Sequence, residues 1–282
     1  MHLTPHRHFR HKVTMPRRLK PLVVEKPWGR TDIPGAFGEL GDRRIGEIWF
    51  AHPDGSDVSS TMIKFLFTSE RLSIQVHPDD AIARRAGLPS GKDECWLVLD
   101  ADDGAELGVG LIAPAALHEL REAALDGSIV DRINWRPAHT HDFIYNPAGT
   151  IHAIGGGLVV VEVQQNIDCT YRLYDYGRPR ALHLDEGLAV ADRKPVADPH
   201  DLRIDPAESR ALVSGPHFHV THLAGPIVDE ICVAGRDGMT FLPLSDGCRV
   251  AGEALKLGEA VLLEGPAMID IAAGARALLV WS

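Results

Sequence analysis

The sequence predicts an all-β fold with a few helices, in the form of a barrel or a sandwich. Two observations carry this. Short runs rich in Val, Ile, Leu and Phe recur between clusters of Gly, Pro, Asp and Ser, the pattern of strands separated by turns. Helical periodicity is confined to three short stretches, and many strands with few helices point to sheets packed on sheets.

Residues 1–18 read as a disordered arm. It carries His2, His6, His8 and His11, a solvated tail rather than a ligand set, and Met15, a second potential start. From 19 to 200 the clearest strands are Ile63–Phe67, Leu72–His77, Cys95–Leu99, Phe143–Tyr145 and Leu158–Val163. The helical stretches are Asp80–Ala86, Pro114–Leu125, which opens on a proline and aligns Leu117, Leu120 and Ala124, and Leu184–Ala191. A proline-rich, charged linker follows at 192–210. Residues 211–282 then carry five more strand-like runs: His217–Leu223, Glu230–Val233, Met239–Leu242, Glu259–Leu263 and Ala277–Trp281. This block is expected to form a second, smaller, metal-free β domain.

Composition narrows the function. With 29 basic against 39 acidic residues the net charge is −10, which argues against a nucleic-acid binder. An anionic ligand would need a local cationic pocket. No apolar run is long enough for a membrane span, and residues 1–18 lack an apolar signal core. Cys95, Cys169, Cys232 and Cys248 form no C-x-x-C pair, so reduced thiols in a cytoplasmic protein are expected.

Chemistry concentrates in one constellation. In Leu72–Pro78, Ile74 and Val76 point one way while Ser73, Gln75 and His77 point the other. A polar face on an apolar strand fits a metal-lined cavity. On the next strand Glu94 shares a face with Trp96 and Val98. His152 follows a P-x-G-x-x-H turn that mounts it rigidly. Gln75, His77, Glu94 and His152 offer two nitrogens and two oxygens, a set suited to zinc with an open position, although iron, manganese or cobalt would also accept it. With one ligand charge the site stays positive and fits Lewis-acid work on oxygen. His139 and His141, and His217, His219 and His222, lack a companion acid in strand register and read as surface or satisfied histidines.

These residues lie within longer motifs: Glu25–Gly29 (EKPWG), Leu72–Asp80 (LSIQVHPDD), Gly91–Trp96 (GKDECW), Pro147–Ala153 (PAGTIHA) and Val163–Tyr176 (VQQNIDCTYRLYDY). Together they resemble the type I phosphomannose isomerase family, nearest its short bacterial branch, over residues 20 to 195. The resemblance implies a cupin-type β-barrel or jelly roll, one zinc per chain, and interconversion of mannose 6-phosphate and fructose 6-phosphate. It places Gln75, His77, Glu94 and His152 as metal ligands. Arg172, Lys92 and Asp168 take catalytic positions, and Trp28, Lys92 and Arg172 substrate-binding ones. Arg30 stands where the family often has a second Gly, and Cys169 where Thr is frequent.

Isomerisation of this kind passes through an enediol. It needs a Lewis acid or donor for the oxyanion, a group to carry the proton, and cations for the phosphate. Asp168, Glu94, Lys92 and a metal-bound water are open candidates for the proton. Arg172 suits phosphate or enediolate, its alternative being a structural ion pair with Asp168, Asp175 or Asp185. For Lys92 the alternative is a solvated loop lysine, and for Trp28 core packing. The competing functions are a non-catalytic sugar-phosphate-binding cupin and a redox-metal cupin oxygenase. The expected partner is a small sugar phosphate, in a monomer or homodimer, serving mannose use or GDP-mannose biosynthesis.

Overall fold

The computed structural model describes residues 15–51, 59–196, 200–232 and 238–282. Strands fall into four sheets. A seven-stranded sheet runs in the order Leu202–Arg203, Asp142–Asn146, Glu94–Ala101, Leu158–Gln165, Thr61–Thr68, Ile45–Ala51, Lys20–Arg30. A five-stranded sheet runs Tyr171–Tyr174, Ile74–Val76, His152–Ile154, Glu106–Leu111, Ile133–Pro137. Two further sheets, of six and four strands, are built largely from residues 210–281.

Strand alternation decides how these layers stack. On one face of the seven-stranded sheet Ile63, Phe65, Leu97, Val159 and Val161 pack against Val220, Leu278 and Val280 of the six-stranded sheet and Phe218 of the turn leading into it. The opposite face brings Leu66, Trp96, Val98 and Val160 onto Leu107, Val109 and Ile154 of the five-stranded sheet. The outer side of that sheet, including Ile74 and Val76, is covered by Leu120, Ala123 and Ala124 of the Leu117–Asp126 helix and Leu188 of the Leu184–Val190 helix. The five- and seven-stranded sheets thus form a sandwich of the expected cupin type, and Lys64, Glu94 and Glu162 sit on its inner face beside the apolar core.

The helices Asp80–Arg85, Leu117–Asp126 and Leu184–Val190 lie within the three expected stretches to within a few residues. The second starts three residues after Pro114 because Glu119 reaches back to accept the Ala116 N–H at 2.7 Å. Two boundaries are corrected. Of the arm expected over 1–18, residues 1–14, including His2, His6, His8 and His11, lie outside the described residues. Arg17 and Arg18 instead pair as a short strand with Leu262 and Val261 and meet Glu264 and Glu259. The 192–210 linker, of which 197–199 lie outside the described residues, supplies Leu202–Arg203 to the seven-stranded sheet, opposite Phe143 and Asp142.

Close backbone approach fixes the entry to the site. A Cβ on Gly29 would lie 2.4 Å from the Ile45 carbonyl carbon, and backbone cannot yield as a side chain does. Gly29→Ala is therefore expected to destabilise the protein by about 1–3 kcal/mol through overpacking and to displace the neighbouring Trp28. Denaturant unfolding checks this, and an unchanged midpoint would contradict it.

Candidate metal and substrate site

Register builds the site. Gln75 sits directly opposite His152 on one side and Arg172 on the other, so three side chains share the inner face of the five-stranded sheet. Facing them, Glu162 lies between Lys64 and Trp96, and Glu94 lies between Asn146 and Gln164. His77 ends its strand at Pro78. The turn before His152 is tied back to it: Gly149, at φ +87°, donates its N–H to the His77 carbonyl at 2.8 Å. That backbone conformation favours glycine.

His77, Glu94 and His152 form a fully buried cluster whose ligand atoms all lie within 4.8 Å of one another. Hydrogen bonds fix both tautomers. His77 Nδ1 donates to the Cys169 carbonyl and His152 Nδ1 to the Thr150 carbonyl, each at 2.8 Å. Both Nε2 lone pairs therefore face inward. They lie 3.3 Å from Glu94 Oε2 and Oε1 respectively. Acceptors converging in this way make a ligand set for a cation, and here the Lys92 ammonium meets two of them.

Burial, helped by the charge of Lys92, drives His77 down to about 3, and burial likewise lowers His152, so both imidazoles stay neutral. Burial alone would raise Glu94, but Lys92, His77 and His152 together outweigh it and hold the carboxyl well below its usual value. Lys92 Nζ donates to Glu94 Oε2 at 2.6 Å and to His77 Nε2 at 3.2 Å. Burial would lower this ammonium, yet Glu94 and Glu162 keep it raised. Lys92 is thus a buried site residue rather than a solvated loop lysine. Gln75 Nε2 donates to His152 Nε2 at 3.3 Å while its Oε1 accepts from Ser73. A half-turn of the amide would point the oxygen at the cluster.

Above the cluster opens a cavity of about 310 Å³. Trp28, Ser73, Gln75, Lys92, Asp168 and Arg172 line it, with Lys26, Glu47, Lys64, Glu162, Arg180 and His183. Five Lys and Arg residues face three carboxylates there, which answers the charge question posed by an acidic chain. Arg172 forms no salt bridge among the described residues; its Nε donates to the Ala181 carbonyl at 2.9 Å. Two of the ion-pair alternatives, Asp175 and Asp185, are taken by other partners. Buried Asp175 accepts a two-pronged contact from Arg180, at 2.6 Å on each oxygen, and one from Arg178, and Asp185 pairs with Arg121. Burial and the neighbouring charge of Arg180 lower the Arg172 guanidinium, so two cations stand together on the cavity wall. Asp168 is exposed.

Sequence reasoning missed Lys64, Glu162 and Arg180. Lys64 and Glu162 lie 3.2 Å apart, and Trp96 Nε1 donates to Glu162 at 3.2 Å. The signal was a lone Lys in TMIKFLFT and a lone Glu in LVVVEVQQ. The two departures from the family pattern leave the site intact. Arg30 turns to Asp32 and does not line the cavity. Cys169 supports His77 through its carbonyl, which any residue provides. His139 meets Asp142, His141 accepts from Arg276, His219 stacks on Trp281, and His222 donates to the Glu208 carbonyl. None of them joins the buried cluster.

Fold and site define a cupin-type β-sandwich protein with a buried His–Glu–His cluster under a cationic cavity. No model of a known protein family matches the chain. It is 34% identical over 245 residues to mannose-6-phosphate isomerase of Streptococcus mutans, covering 73% of this chain and 77% of that one. It is 30% identical over 250 residues to mannose-6-phosphate isomerase ManA of Bacillus subtilis, covering 73% and 78%. The crystal structure of mannose 6-phosphate isomerase from Bacillus subtilis superposes with a TM-score of 0.79 at 26% identity, over 95% of this chain and 99% of that one. The chain belongs to the mannose-6-phosphate isomerase family. Among the described residues no helix is long and apolar enough to cross a membrane.

Proposed function

We propose that this protein interconverts mannose 6-phosphate and fructose 6-phosphate through an enediol. The supporting observation is the junction of a converging donor set, His77 Nε2, His152 Nε2 and Glu94, with a cavity rich in Lys and Arg. Those three residues, with Gln75 as the fourth, fit a divalent metal, best zinc, since two imidazoles, a carboxylate and an amide oxygen leave a position open. When bound, the metal supplies Lewis-acid polarisation of the sugar oxygens at adjacent carbons.

The chain's own residues do the rest. Lys92, anchored on Glu94 at 2.6 Å, presents an ammonium on the cavity wall that donates to the sugar oxygen as negative charge develops. Glu162, held by Lys64 and Trp96, and Asp168 are carboxylates on that wall; Glu162 is the deeper one and the better placed to carry the proton between carbons. Arg172 and Arg180 hold the anionic end of the substrate, the fork of Arg180 being fixed by Asp175. Trp28, 2% exposed, closes one wall and excludes water.

A coupled assay on mannose 6-phosphate tests this reading. Steady formation of fructose 6-phosphate supports it. Binding without conversion favours the sugar-phosphate-binding cupin, and oxygen consumption with a redox metal favours the oxygenase.

A further inference from the structure

Asp93 sits between Lys92 and Glu94 but does not line the cavity. Its carboxylate collects two donors: the Ala148 N–H at 2.9 Å on Oδ1 and the Tyr145 hydroxyl at 2.5 Å on Oδ2. Ala148 belongs to the turn that presents His152. The Asp93 backbone is held as well, its N–H by Gln165 Oε1 at 2.9 Å and its carbonyl by the Gln165 N–H at 3.1 Å. Gln165 in turn donates to Asp80 Oδ1, which also accepts the Gly91 N–H. One side chain thereby joins the segment carrying Lys92 and Glu94 to the turn carrying His152. The Tyr145 ring packs near Phe218, with centroids 6.2 Å apart, and His217 Nε2 lies 3.9 Å from Asp93 Oδ2. Both Phe218 and His217 come from the C-terminal block.

We propose that Asp93 is a positioning residue that sets the spacing of Glu94 and His152, and through it metal affinity, with the C-terminal block bracing it through Tyr145. This rests on the reading of His77, Glu94 and His152 as metal ligands. Without the carboxylate, the Ala148 N–H and the Tyr145 hydroxyl lose their acceptor and the turn can shift against the Glu94 strand. Partners that orient ligands from outside the coordination sphere are typically worth about 10–100-fold in affinity.

The test is zinc affinity of the stripped full-length protein, measured against a competing chromophoric chelator. Asp93→Ala is expected to weaken binding by about 10–100-fold. Asp93→Asn still accepts from Ala148 and can donate to the Tyr145 oxygen, so it is expected to stay within about threefold of the parent. Tyr145→Phe keeps the ring packing and is expected to fall between them. Asp93→Ala binding as tightly as the parent overturns the inference. So does an Asn variant as weak as Ala, because charge rather than the two hydrogen bonds would then set affinity. If Asp93→Ala does not fold, Tyr145→Phe decides, and unchanged affinity there overturns it. A parent that binds no divalent metal overturns the metal reading itself, and this inference with it.

Discussion

Glu94→Gln is expected to strip the protein of bound metal and to lower turnover by about a thousandfold or more, the equivalent of ~4 kcal/mol of lost Lewis-acid stabilisation. The substitution keeps shape and removes charge. Two neutral imidazoles and two amides hold a divalent ion poorly, because the one anionic ligand is gone. Its second effect falls on Lys92. That ammonium is 4% exposed, and its nearest remaining carboxylate, Glu162, is 3.9 Å away. Leaving a buried charge without its close partner costs about 3 kcal/mol, so the metal-free variant should also melt earlier than the metal-free parent. Elemental analysis, the coupled assay and thermal unfolding read the three effects separately. Turnover within tenfold of the parent would contradict the role given to Glu94.

Arg172→Ala is expected to keep fold and metal while kcat/KM falls by about a hundredfold or more, the usual consequence of losing one electrostatic stabiliser. The structure explains why stability should barely move. Arg172 forms no salt bridge among the described residues, and its Nε hydrogen bond to the Ala181 carbonyl is worth about 1 kcal/mol. Arg172 stands opposite Gln75 in strand register and shares the cavity wall with Arg180. A loss carried by KM marks it as a phosphate clamp, and a loss carried by kcat as a stabiliser of the enediolate. Lysine should restore little, since it lacks the planar fork. Near-normal kcat/KM would remove Arg172 from the machinery.

Much of the site was legible because strand alternation is a local property. Ser73, Gln75 and His77 on one face, Glu94 with Trp96 and Val98 on one face, and a proline-glycine turn before His152 all follow from two-residue periodicity and turn chemistry. Glu162 was not legible for a physical reason. The Leu158–Gln165 strand is buried on both faces, by the five-stranded sheet on one side and the six-stranded sheet on the other. It therefore reads as a nearly continuous apolar run without a polar face. Lys64 shares that position one strand over. Arg180 depends on a loop contact to Asp175 that no periodicity announces. The pairing of Arg17 and Arg18 with Val261 and Leu262 spans nearly the whole chain, and long-range pairing of this kind leaves no local mark on composition.

The His77–Glu94–His152 cluster is expected to work as a metal centre in sugar-phosphate isomerisation. Titrating zinc into the stripped protein while following conversion of mannose 6-phosphate tests it most directly. The expected result is no turnover at the start, a linear rise, and a break at one metal per chain. Full turnover in a sample shown by elemental analysis to hold no metal would contradict it.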